Sequence, residues 1–146
     1  MWLPSASDIN PIPEDLDGRV AEEHFLGKSL DEAIVLFKEN GLLYQEDLMW
    51  MGPKAYCFYV HAAIAYIKSE DAGGDSDFIN SLGGNFEFRL KRDRNEIEAV
   101  LGAIKEACEY VLENWSKYDV KSEVYGDLHG KYRELLHNLS PRRGLA

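Results

Sequence analysis

The stretch from Leu48 to Ile67, LMWMGPKAYCFYVHAAIAYI, constrains this chain more than any other. Read as a helix from Pro53, it is apolar over about two-thirds of its circumference at about 100° per residue. Its one polar line is Lys54, His61 and Lys68, each seven residues from the next. A helix apolar on most sides is the buried centre of a domain. Val60, Ala63, Ile64 and Ile67 are therefore expected in the core. The expected fold is all-α: a single compact domain of five to seven helices around a buried central helix over 53–69. The apolar run Ala55 to Ile67 falls short of the roughly 18 residues that span a bilayer, and it contains His61.

The rest of the chain reads as an extended N-terminal arm over 1–12, a helical domain over 13–140 and a short basic tail over 141–146. Trp2 and Leu3 are the arm's candidate anchors. Pro13 suits a first helical position, with Glu14 and Asp15 in the first turn. Leu16, Val20 and His24 would line that helix's inner face, and Gly27 would stop it. Ser29 and Glu32 form a capping box. The helix they open, with Leu30, Ala33, Ile34 and Phe37 inward, is expected to end at Asn40-Gly41. A short turn, with helical geometry as one option, is expected over Gln45 to Met51. Phe86, Phe88 and Leu90 alternate like a strand. No other segment alternates to pair with them, so short helical turns on either side of Gly83-Gly84 are the preferred reading. Asp93 with Glu96 repeats the capping pattern. It is expected to open a long amphipathic helix to about Lys117, with Ile97, Val100, Ile104, Ala107, Cys108 and Val111 inward. Val124, Leu128, Tyr132, Leu135, Leu136 and Leu139 share the face of a last helix.

Charge narrows the partners. With 26 acidic against 16 basic residues, the formal net charge is −10. That repels nucleic-acid phosphates and anionic membranes and favours a basic protein. Cys57 and Cys108 each sit in an apolar helical pattern and make no disulfide framework, which fits the reducing cytoplasm. The first residues lack the charged and apolar regions of a signal peptide.

No P-loop, zinc-protease, nucleophile-elbow or paired-cysteine pattern is present. No metal and no cofactor is expected. Glu134 and His137 form one E-x-x-H, whereas carboxylate-bridged metal bundles use two such pairs and two more glutamates. His61, among Tyr56, Tyr59 and Tyr66, is the candidate base, with Tyr59 beside it. Its line with Lys54 and Lys68 predicts instead a wet helix edge. Cys57 would act as a nucleophile only with a depressed thiol pKa, and reads as a core thiol. Arg89, Lys91, Arg92 and Arg94 are the only dense basic cluster, a candidate patch for an anion or an acidic partner. Lys54, His61 and Lys68 complete the candidate binding residues. Eight tyrosines and three tryptophans suggest an aromatic surface patch.

The segment Asp47-Leu-Met-Trp-Met-Gly-Pro-Lys-Ala-Tyr-Cys-Phe-Tyr-Val-His-Ala resembles one in an uncharacterised family of small bacterial all-helical proteins. The shared pattern is Leu-x-Trp/Phe-x-x-Pro-x-Ala-aromatic-x-aromatic-Tyr, and the likeness spans about residues 30–118. His61 stands where that family often carries a second proline, so a kink at this point does not transfer. The resemblance implies a helical fold and brings no activity. Small size, acidity and abundant aromatics point to a non-enzymatic cytoplasmic binding protein that masks its partner, as immunity proteins do. The alternatives are an enzyme whose site gathers scattered residues including His61, and a structural homodimer subunit.

Overall fold

Pro53 occupies the first position of the central helix, where its missing N–H costs nothing. The computed structural model describes residues 2–140. Among them there are eight α-helices and no strand: α1 Ala6–Ile9, α2 Leu16–Phe25, α3 Leu30–Trp50, α4 Pro53–Lys68, α5 Ser76–Arg92, α6 Leu101–Glu113, α7 Ser122–Tyr125 and α8 Leu128–Leu139. Short 3₁₀ turns at Glu70–Ala72, Glu98–Val100 and Trp115–Tyr118 join them. The all-α expectation holds. The helix number exceeds five to seven because α1 and α7 are separate turns of four residues each. The basic tail expected over 141–146 lies outside the described residues.

Helix α4 packs against α1, α3 and α6, while α5 packs against α3 and α8. Val60, Ala63, Ile64 and Ile67 are buried, as are Tyr56, Tyr59 and Tyr66. Lys54, His61 and Lys68 face solvent along one edge. The seven-residue polar spacing thus marks the solvent edge of α4. The amphipathic face of α6 is likewise inward, with Ile104, Ala107, Cys108 and Val111 buried.

Several local expectations are corrected. The N-terminal arm is not wholly extended: Ser5 and Asp8 make a reciprocal capping box that winds α1 and buries Ile9. Helix α2 starts at Leu16, three residues after Pro13, with Asp15 as N-cap accepting from the Asp17 N–H. Its buried side is Gly18, Ala21 and Phe25, while Leu16 is 68% exposed. Gly27 does end it, at φ 78°. Asn40 breaks helical geometry at φ −157° and ψ 82°, as expected, but the helix resumes at once. The Asn40 side chain explains this, because its Oδ1 accepts from the Leu43 N–H at 3.2 Å and caps the second half.

Residues 76–92 form one continuous helix, not turns around Gly83-Gly84. Gly83 lies where α8 approaches: a Cβ there would sit 3.1 Å from Tyr132 Cε2. The glycine serves interhelical contact rather than a break. Asp93 is not an N-cap. Its carboxylate accepts from Arg89 Nη1 at 2.8 Å, a charge-assisted bond that outcompetes backbone capping, and the next α-helix begins only at Leu101. The last helix is split at Gly126, φ 68°, which leaves Val124 exposed on α7.

Ile64 belongs to the buried face of α4. Ile64→Ala should lower unfolding free energy by about 2–5 kcal/mol in urea denaturation. A loss below about 1 kcal/mol would show that the site collapses around the deletion and that α4 is not the packing centre.

Candidate functional site

A buried polar chain runs through the interior and ends beneath a surface cleft. On α3, Gln45 Oε1 accepts from Asn85 Nδ2 of α5 at 3.2 Å. Asn85 Oδ1 accepts from the Tyr56 hydroxyl of α4 at 3.0 Å. The Arg89 guanidinium stacks 4.3 Å over the Tyr56 ring. Arg89 is 1% exposed. Its Nη1 donates to Asp93, and its Nη2 donates to the carbonyls of Leu48, at 3.0 Å, and Met51. Those carbonyls are the open C-terminal end of α3, where a cation also meets the negative helix pole. Burial pushes the Tyr56 hydroxyl far above its ordinary pKa of 10.0, so it stays a donor. Among the described residues, Arg89 Nε and Asp93 Oδ1 have no protein hydrogen-bond partner, and a buried polar atom left unmet costs about 1–3 kcal/mol. The network therefore fixes geometry more than it maximises stability.

Above Arg89 and Asp93 lies a cleft of about 150 Å³. Pro11, Ile12, Met51 and Pro53 wall it with apolar surface, Trp50 forms one side, and Asp15, Arg92 and Glu96 stand at the rim. Glu46 accepts from Trp50 Nε1 at 2.9 Å and holds the indole, whose ring meets Phe88 edge-on at 5.5 Å. Gly52, at the α3–α4 junction, donates its N–H to Ile9 O at 2.9 Å. A Cβ there would fall 2.3 Å from Asp8 O, so only glycine lets the N-terminal segment close this wall.

The candidate residues divide sharply. Arg89, expected in an exposed basic patch, is internal. Arg92 is at the cleft rim, its guanidinium 5.4 Å over Phe88. Lys91 and Arg94 instead border a separate groove of about 190 Å³ toward Lys131 and Glu134 of α8. Lys91 pairs with Glu87 at 4.0 Å, and Arg94 donates to Asn138 O at 3.2 Å. Lys54 lies over Trp2 and 3.9 Å from Asp8, and Lys68 over Tyr110. Tyr59 is buried, its hydroxyl 2.8 Å from the carbonyl oxygens of Phe25 and Lys28. That desolvation pushes it up to about 12. His61 is exposed and makes no side-chain hydrogen bond among the described residues. Two residues apart on a helix, Tyr59 and His61 point to opposite sides, and no joint site forms. Burial raises the Cys57 thiol, opposite to what a nucleophile needs. Glu134 and His137 are exposed. Among the described residues no three His, Cys, Asp or Glu side chains are placed to hold a metal.

The histidine–carboxylate pair is elsewhere. His24 Nδ1 lies 2.5 Å from Asp47 Oδ2. The His24 side chain is 28% exposed and that of Asp47 is 5% exposed. His24 also meets the Tyr44 ring edge-on. The apolar spacing of α2 does not reveal this pair, because Asp47 is 23 residues away on the second half of α3, beyond the Asn40 break. Burial raises the Asp47 carboxyl above its ordinary 3.8, with the His24 bond opposing.

No helix among the described residues is long and apolar enough to cross a membrane. Comparison with protein-family models, curated proteins and solved structures finds no match to this chain.

Substitutions at Arg89, His24 and Asp47 test these assignments. Arg89→Met strands Asp93 and the α3 carbonyls and should cost about 3–5 kcal/mol, with Arg89→Lys recovering little because ammonium lacks the fork. A small loss in chemical denaturation would show that Arg89 does not hold the junction. His24→Ala should cost about 1–3 kcal/mol at pH 7 by leaving the Asp47 carboxylate buried and unpaired. In that variant the raised carboxyl favours the fold below 3.8, and this contribution is lost as pH rises through the folded value. His24→Ala with Asp47→Asn should be more stable at pH 7 than His24→Ala alone. Strict additivity would mean the two side chains do not support each other.

Proposed function

We propose that this is a non-catalytic binding protein, cytoplasmic and of the masking, immunity-like kind, which engages its partner at the Ile12–Trp50 cleft. The observation that carries the reading is the cleft's construction. Ile12 is 56% exposed beside a half-buried tryptophan, over a floor braced by a buried arginine. Aromatic anchors over a preorganised, desolvated base are what binding hot spots consist of. Kinship with the uncharacterised bacterial helical family belongs to the same proposal. The enzyme alternative finds its best support at His24–Asp47 rather than at His61, since among the described residues a buried carboxylate orients an imidazole there and not at His61.

The test is affinity purification of the intact protein from the cells that encode it, beside Ile12→Arg and Glu96→Arg. Both substituted positions are exposed, so the variants should fold. The expected result is one stoichiometric partner held by the native protein and lost from both variants. Equal retention by all three would place the contact surface elsewhere, and no retained partner would remove the masking reading.

A further inference from the structure

We infer that the Ile12–Trp50 cleft accepts a cationic side chain, an arginine or lysine presented by a basic partner. The inference rests on the binding reading above and supplies the chemistry of the anchor. At about 150 Å³ the cleft is below the roughly 300 Å³ at which small-molecule sites begin, so its size suits one inserted side chain. Its walls, Pro11, Ile12, Met51 and Pro53, are apolar and match an aliphatic stem. Its floor is electrically settled, because Arg89 and Asp93 pair at 2.8 Å.

The unmet charge is at the rim. Among the described residues neither Asp15 nor Glu96 makes an ion pair. The Asp15 carboxylate accepts only the Asp17 N–H, at 3.2 Å. Trp50 adds an aromatic ring that can attract a cation. Glu46, bonded to the indole N–H, adds negative charge behind it. Arg92 opposes, yet its guanidinium is placed over Phe88 of its own helix. Two carboxylates and an indole against one engaged arginine leave the rim net negative, and the chain's −10 extends that field outward. Apolar walls with an acidic mouth are complementary to the long basic side chains.

The test uses the full chain, ¹⁵N-labelled, titrated with N-acetyl-arginine amide and with N-acetyl-citrulline amide, its neutral isostere. The arginine probe should give saturable shifts at the Trp50 indole N–H and at the Gly52 and Glu96 amides. Its affinity should be about tenfold above the citrulline probe and should fall with added salt. Asp15→Asn keeps the helix cap and Glu96→Gln is exposed; each should weaken the arginine probe about two- to fivefold. Arg92→Gln should tighten it. Absence of saturable shifts, equal binding of the two probes, or indifference to both carboxylate variants overturns the inference. A partner captured in the cleft without arginine-probe binding would leave the masking reading standing with another anchor. Probe binding with no partner would do the reverse.

Discussion

Arg89 is the constraint on which the rest of the architecture depends. It stands in the last turn of α5, yet its side chain reaches the end of α3, the face of α4 and the residue that terminates α5. A buried guanidinium must satisfy itself with fixed acceptors, because desolvating it is costly. The Leu48 and Met51 carbonyls provide them only if α3 ends where it does and α4 leaves at the Gly52–Pro53 corner. One side chain therefore couples three helices. The Tyr56–Asn85–Gln45 hydrogen bonds carry the same coupling inward. Asp93 neutralises the arginine and in doing so gives up the helix-capping role its neighbours in sequence suggest.

The tyrosines follow a related logic. Five of the eight, Tyr56, Tyr59, Tyr66, Tyr118 and Tyr132, are buried. Several spend their hydroxyls on main-chain oxygens: Tyr118 on Ile67, near the end of α4, at 2.7 Å, and Tyr132 on Ile79, inside α5, at 2.6 Å. Tyr66 reaches the Asp75 carboxylate at 2.6 Å, next to the start of α5. A ring fills core volume while its tip satisfies a group that would otherwise be buried unmet. The aromatic abundance is thus chiefly an interior device, and the half-buried aromatics that remain at the surface, among them Trp50, Tyr110 and Trp115, each border a separate cavity.

Acidity gains meaning only through placement. Across the whole chain the excess negative charge reads as solubility or a general preference for basic partners. Set around an apolar cleft whose floor is neutral, the same kind of carboxylates give the rim the negative charge on which the proposed cation site rests. The basic cluster undergoes the opposite change. Four cations close in sequence are distributed to an interior network, a cleft rim and a separate groove, so they never act as one patch.

The sequence by itself determined the helical class, the buried centre and the wet edge of α4. Those rest on periodicities within one segment, and Lys54, His61 and Lys68 fall on a line whatever the rest of the chain does. It also determined the Ser29 cap and the stop at Gly27, whose causes lie within a few residues. Tertiary structure decided what depends on a distant partner. Gly83 reads as a helix breaker until Tyr132 of α8 is seen against it. Asp93 reads as a cap until Arg89 claims it, and Arg89 reads as surface charge until the carbonyls of Leu48 and Met51 are brought beneath it. The cleft, likewise, joins residues 11–15, 50–53 and 89–96, and only packing brings such segments together. Local propensity is set by neighbours along the chain. Burial, pairing and pocket formation are set by neighbours in space, which periodicity does not encode.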